Sequence, residues 1–106
     1  MINIDDFKKV EIKIGKVLSA EKVENADKLI KLEVDFGIEK KQILTAMAEF
    51  FSPDYFVGKE MPFIVNLEPR VLKGLESQGM ILASHADGMP VLLHPEKEIP
   101  PGSPVG

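Results

Sequence analysis

A chain of 106 residues with a formal net charge of −4 fits one domain and excludes a protein that holds nucleic acid by its overall charge. A composition of 44% hydrophobic and 28% charged residues is that of a soluble globular domain. No apolar run approaches the ~18 residues of a membrane span, and the absence of cysteine rules out disulfides and thiolate chemistry. The first ten residues have no basic region leading into an apolar stretch, so no secretory or transit segment is expected and the cytoplasm is the expected compartment. A local basic patch stays compatible with all of this.

Glycines fall at strand-length intervals, an all-β rhythm. The first predicted strand starts at Val10 with Ile12 and Ile14 on one parity. After Gly15 the apolar phase moves to Val17, which predicts a bulge at that glycine. Ile30, Leu32, Val34 and Phe36 alternate with Lys31, Glu33 and Asp35, the pattern of a half-buried antiparallel strand. Lys41 to Ala48 is its predicted hairpin partner. Ser52-Pro53-Asp54 predicts a helix start with Ser52 as N-cap, and Gly58 limits that helix to one or two turns. Met61 to Leu67 reads as a strand buried on both faces, Glu68 to Gln78 as a loop, and Gly79 to Ser84 as a fifth strand. The last seventeen residues hold five of the eight prolines and form a separate element. Five strands and one short helix match the Greek-key barrel known as the OB-fold, with an SH3-like barrel or a sandwich left open by pattern alone. The expected division is a barrel over about residues 8–86 and an extension over about 87–106 of one domain.

Enzymatic chemistry has little to work with. His85 and His94 stand nine residues apart with no ligand cluster around them, and no Gly-rich phosphate loop occurs. No catalytic residue, metal or cofactor is therefore expected. Binding is better supported, because nine basic and seven acidic residues between Lys8 and Lys41 make that region net +2 and leave the remainder at −6. Lys13 and Lys31 are expected on the outer face of adjacent strands, and Arg70 and Lys73 in the long loop, where together they can hold phosphates. That loop also carries amide and hydroxyl groups on Asn66, Ser77 and Gln78, and a flexible apolar side chain in Met80. An ordinary connection, with Asn66 and Gln78 satisfying buried backbone groups, is the competing reading.

Four blocks occur in order: Ile4-Asp5-Asp6-Phe7, Asn25-Ala26-Asp27-Lys28-Leu29, Asn66-Leu67-Glu68-Pro69-Arg70 and Ser77-Gln78-Gly79-Met80-Ile81-Leu82-Ala83. Together they resemble the tRNA-binding OB domain found at the C-terminus of many methionyl-tRNA synthetases, in free-standing tRNA-binding proteins and in endothelial-monocyte-activating polypeptide II-like factors. The resemblance spans nearly the whole chain. It implies a non-catalytic module that binds tRNA mainly by shape. It also implies a homodimer formed through the barrel and C-terminal extension, and an aminoacyl-tRNA synthetase as a further partner. It points to Lys28, Lys31, Asn66, Arg70, Ser77, Gln78 and Met80 as tRNA contacts, with Gln42 added from the neighbouring strand. Glu68 and Glu76, which flank Arg70 and Lys73, depart from the more basic loop of many relatives. A peptide-binding export chaperone shares the same barrel, dimer and tail and is the alternative; its branch lacks the Ser-Gln-Gly-Met form.

Overall fold

Period-two alternation sets the first sheet. β1 (Ile12–Val23), β2 (Ala26–Asp35) and β3 (Lys40–Thr45) form an antiparallel meander in the computed structural model, which describes residues Met1–Gly106. Ile30, Leu32 and Val34 are fully buried and Phe36 nearly so, as the alternation requires. A single 3-10 turn, Pro53–Tyr55, then carries the chain across to β4 (Glu60–Ile64), which pairs with the first half of β1. Pro53 supplies the helical φ of that turn, but the Ser52 side chain makes no capping bond, contrary to expectation. A hairpin of β5 (Arg70–Leu72) and β6 (Leu75–Ser77) follows, and β7 (Met80–Ile81) adds to β4. The strand order β3-β2-β1-β4-β7, with the crossover between β3 and β4, is the five-stranded path of an OB-type barrel. Val17, Ile30, Leu32, Ile43, Phe56, Met61 and Phe63 fill its centre, and Phe36 meets Phe63 edge-on at 5.6 Å.

Several expectations are corrected. The predicted loop over residues 68–78 is a hairpin, because Lys73 and Gly74 take φ of 50° and 79°, the left-handed pair that matches strand twist. The run from Gly79 to Ser84 is broken: β8 (Ala83–Ala86) leaves the barrel to pair with β9 (Met89–Leu92) about the turn at Asp87-Gly88. Met61 to Leu67 is not a strand buried on both faces, since β4 stops at Ile64 and Leu67 is exposed. A turn of helix, α1 (Ile4–Phe7), stands at the N-terminus, capped by Asn3 Oδ1 accepting from the Asp6 N–H at 2.9 Å.

The phase change around Gly15 is not a bulge. The β1–β4 register runs unbroken from Ile12 to Lys16, and the irregularity lies between Val17 and Ser19. Both faces of early β1 are instead covered. Val17 enters the core, whereas Ile14 is buried outside it beside Pro62, Leu93, Ile99 and Pro104. The C-terminal segment supplies that outer cover. Its last strand, β10 (Pro104–Val105), pairs with Ile12 and Lys13, and the Ile14 N–H donates to the Ser103 carbonyl at 2.9 Å. The buried Glu60 carboxylate accepts the Ile99 N–H through Oε1 at 2.9 Å. The proline-rich end therefore lies along its own barrel.

Gly15 allows β1 to cross β2 closely, since a Cβ there would overlap Val34 Cγ1 and sit 2.7 Å from Phe36 Cε1. Gly15→Ala should therefore destabilise the fold by about 1–3 kcal/mol, the cost of overpacking. Urea unfolding measures it, and an unchanged midpoint would show that β1 can move away from β2.

Candidate nucleic-acid interface

Ser77, Gln78 and Gln42, three of the expected contact residues, meet at the seam that closes the barrel. The Gln78 N–H donates to the Gln42 carbonyl at 2.8 Å, and the Gln42 N–H donates to Gln78 Oε1 at 2.8 Å. Gln42 Nε2 donates to the Glu76 carbonyl at 2.9 Å. Ser77 Oγ accepts the Leu44 N–H at 3.0 Å and donates to the Gly79 carbonyl at 2.9 Å. The edge of β3 is thus paired by side chains where no regular ladder forms. Gly79 completes the seam: a Cβ there would lie 2.8 Å from the Ile64 carbonyl oxygen. Asn66 is committed in the same way. Its Oδ1 accepts the Glu11 N–H at 2.8 Å and its Nδ2 donates to the Lys9 carbonyl at 2.7 Å, fixing the N-terminal segment to the end of β4. Asn66 and Ser77 are thus fully engaged within the chain, whereas Gln42 and Gln78 each spend one side-chain atom on it, Nε2 and Oε1 respectively.

The seam fixes the root of the β5–β6 hairpin, and the hairpin carries the charges. Arg70 lies on β5 opposite Ser77, and Lys73 forms the tip. Both are exposed, and neither forms an ion pair. Lys28 and Lys31 project from β2, where Lys31 Nζ lies 2.6 Å from Glu21 and Lys28 Nζ 3.9 Å from Glu49. These partly exposed pairs contribute little, so a phosphate can replace the carboxylate at small cost.

Three shallow grooves border Lys31, Lys73 and Arg70, and Lys28 lines none of the three. One of about 250 Å³ is bordered by Lys31, Lys40, Lys41 and Gln42, together with Glu21 and Glu33. A second, of about 370 Å³, holds Lys22, Lys31, Lys73 and Leu75 with Glu21 and Glu24. Lys31 belongs to both. On the other side of the hairpin a groove of about 530 Å³ is lined by eight apolar residues, Met80 among them, and Arg70 is its one formal charge. The expected grouping of Lys13 with Lys31 does not form. Lys31 faces Glu21, eight residues along β1 from Lys13, about 26 Å of extended strand. Sequence reasoning missed Lys22, Lys40, Lys41 and Phe50. The adjacent pair Lys40-Lys41 just after the Gly37 turn carried a signal for the lysines, and Phe50 could only be placed once its neighbour Phe51 was known to pack inward.

The sequence model of the family described as "Putative tRNA binding domain" matches residues 12–104, almost the whole barrel and tail. The chain belongs to this family of tRNA-binding domains. It is 50% identical over 104 residues to a methionine–tRNA ligase of Archaeoglobus fulgidus, covering 98% of this chain and 16% of that protein. A methionine–tRNA ligase of Thermotoga maritima is 48% identical with the same coverage. The domain thus spans about 16% of the length of these curated relatives. Among solved structures, a methionyl-tRNA synthetase-related protein from Pyrococcus horikoshii superposes with a TM-score of 0.96 at 39% identity, covering 100% of this chain and 98% of that one. The chaperone CsaA of Bacillus anthracis follows at 0.90 and 30%, covering 100% and 99%.

This division of labour has a measurable consequence. Ser77→Ala removes an acceptor from the buried Leu44 N–H and should cost about 1–3 kcal/mol, whereas Arg70→Ala, exposed and unpaired, should stay within about 0.5 kcal/mol of the parent. Chemical denaturation of the two variants tests this, and equal losses would contradict the assignment of the seam.

Proposed function

We propose that this domain is a non-catalytic tRNA-binding module that reads tRNA mainly by shape and works as part of, or beside, a methionyl-tRNA synthetase. The observation that carries this reading is the hairpin: Arg70 and Lys73 stand free of ion pairs on an element whose root is fixed by Ser77, Gln78 and Gln42. A preplaced guanidinium and ammonium lose little freedom when they meet phosphates. Lys31 and the Lys40-Lys41 pair border the adjoining groove and extend this surface for the backbone of a folded RNA, with Lys28 further along β2 as an additional cation. Asn66, Ser77, Gln78 and Gln42 act as positioning residues, while Arg70, Lys73 and Met80 touch the ligand. The likeness to Archaeoglobus and Thermotoga methionine–tRNA ligases supports the synthetase link, and a role in translation agrees with the expected cytoplasmic compartment.

Two copies of the domain form the working unit in this reading. Phe7, Val10, Leu93 and Val105 are each about 40% exposed. Val105 pairs beside Ile12, just after Val10, and lines one groove with Leu93, so the four apolar side chains belong to one end of the molecule. The last twenty residues would thus serve as barrel cover on one side and contact surface on the other. Duplication matters because a single −4 domain repels RNA beyond its patch. A second reading, capture of extended peptide, draws on the CsaA likeness and the apolar groove beside Arg70.

Titration with unfractionated tRNA at two salt concentrations separates the readings. Binding should weaken steeply with salt, and Arg70→Ala should lower the slope of log affinity against log salt by about one. Absence of binding at low ionic strength, with unfolded peptide bound instead, would favour the second reading. For the assembly, Val105→Glu should convert a dimer into a monomer in sedimentation equilibrium without loss of β-sheet circular dichroism. A variant that still sediments as a dimer would remove the tail from the interface.

A further inference from the structure

The groove of about 530 Å³ beyond the hairpin differs in character from the two lysine-bordered ones. It opens between the end of β3, β5, β7 and the β8–β9 hairpin, and its size falls within the range of small-ligand sites. Leu29, Leu72, Met80 and Phe50 give it apolar walls, and Arg70 sets one positive charge on it. Phe50 is 41% exposed, although its neighbour Phe51 is engaged, stacked on Tyr55 at 4.9 Å and edge-on to Phe56 at 5.6 Å. Met80, also 41% exposed, lines the same groove. An exposed aromatic, an exposed polarizable thioether and a single unpaired guanidinium in one concavity fit a ligand with a flat apolar face and one anionic group.

We infer that this groove receives a single unstacked nucleotide of tRNA, its base against Phe50 and Met80 and its phosphate on the Arg70 guanidinium. The inference rests on the tRNA reading above and adds a base contact to its phosphate contacts. Charge decides against a paired stem in this groove, because two phosphate backbones would face walls that carry one cation between them. It also decides against an apolar peptide side chain, which would bury the walls and leave Arg70 without an anion. Beside Arg70, the hydrogen-bonding side chains of the lining are Thr45, which is buried, and His85. The groove therefore holds any base by stacking rather than selecting one by its edge.

The chain contains no tryptophan, so Phe50→Trp introduces a single indole at the site while keeping an aromatic face. Adding tRNA should quench that indole with the midpoint obtained from anisotropy. A short single-stranded oligoadenylate should quench it at higher concentration, and a blunt RNA duplex should not. In an otherwise unchanged chain, Phe50→Ala should lower tRNA affinity about tenfold while leaving the salt slope unchanged, since stacking releases no counterions. Phe50→Leu should recover only part of that loss. If Phe50→Ala binds tRNA as the parent does while Arg70→Ala is weakened, the base site is wrong and the tRNA reading stands. An indole untouched by bound tRNA overturns the site even should Phe50→Ala fail to fold. If the parent binds no tRNA, both readings fall, and quenching by an unfolded apolar peptide instead would assign the groove to peptide.

Discussion

The pairing of Gln42 with Gln78 is the constraint on which the binding face depends. A five-stranded barrel must close between β3 and the end of the sheet order, and here the regular ladder is replaced by reciprocal bonds between two glutamines and a serine hydroxyl. Each of these bonds is worth about 1 kcal/mol net, but an unpaired backbone group left at a buried seam costs its full desolvation. The seam is therefore specified tightly. Because Ser77 and Gln78 lie where the β5–β6 hairpin ends, closing the barrel and aiming the hairpin are one event. The Ser-Gln-Gly-Met block thereby joins four needs in four consecutive positions: a hydroxyl for Leu44, an amide for Gln42, no side chain against the Ile64 carbonyl, and an exposed thioether for the groove.

The C-terminal segment solves a different problem. Early β1 has apolar side chains on both faces, yet a barrel this small has one interior. Ile14 is kept from water because residues 93–105 fold back over it, held by the Ile14 bond to Ser103, the β10 pairing and the Glu60 acceptor for Ile99. Prolines suit such a segment, since they cut the freedom lost when a strand-poor stretch is pinned to a surface. Lys16, the half-buried ladder partner of Glu60, reaches Glu98 at 3.8 Å, a further weak tie between barrel and tail.

Legibility in the sequence followed how local each signal was. Ile30 to Phe36 shows its strand directly, because one face is core and the other solvent. The flip at Gly15 was readable as an anomaly but not as its cause, which lies about ninety residues away in the tail. The hairpin at Lys73-Gly74 was hidden by short strands of three residues each, too brief for alternation to register. Asn66, Ser77 and Gln78 stand out in the sequence as polar groups in an otherwise apolar and charged stretch. Pattern could not tell whether their amides and hydroxyl face a ligand or the backbone, because the same donors and acceptors serve both. In the fold all three reach backbone groups more than thirty positions away in sequence, a partner that no local pattern encodes.

An acidic domain can hold RNA only where its charges are arranged against its own average. The exposed acids that border the lysine grooves, Glu21, Glu24 and Glu33, cancel much of the charge of Lys22, Lys31, Lys40 and Lys41. What survives is short-ranged, since charges on an exposed face are screened over about 8–10 Å in physiological salt. Such a surface cannot gather RNA from a distance and must gain its affinity on contact. Contact rewards rigid placement and shape, which is what the side-chain seam gives to Arg70 and Lys73. The same acids that weaken long-range attraction also weaken adhesion to extended single strands. Discrimination in favour of a compact folded RNA then comes from the low charge of the domain as much as from its few free cations.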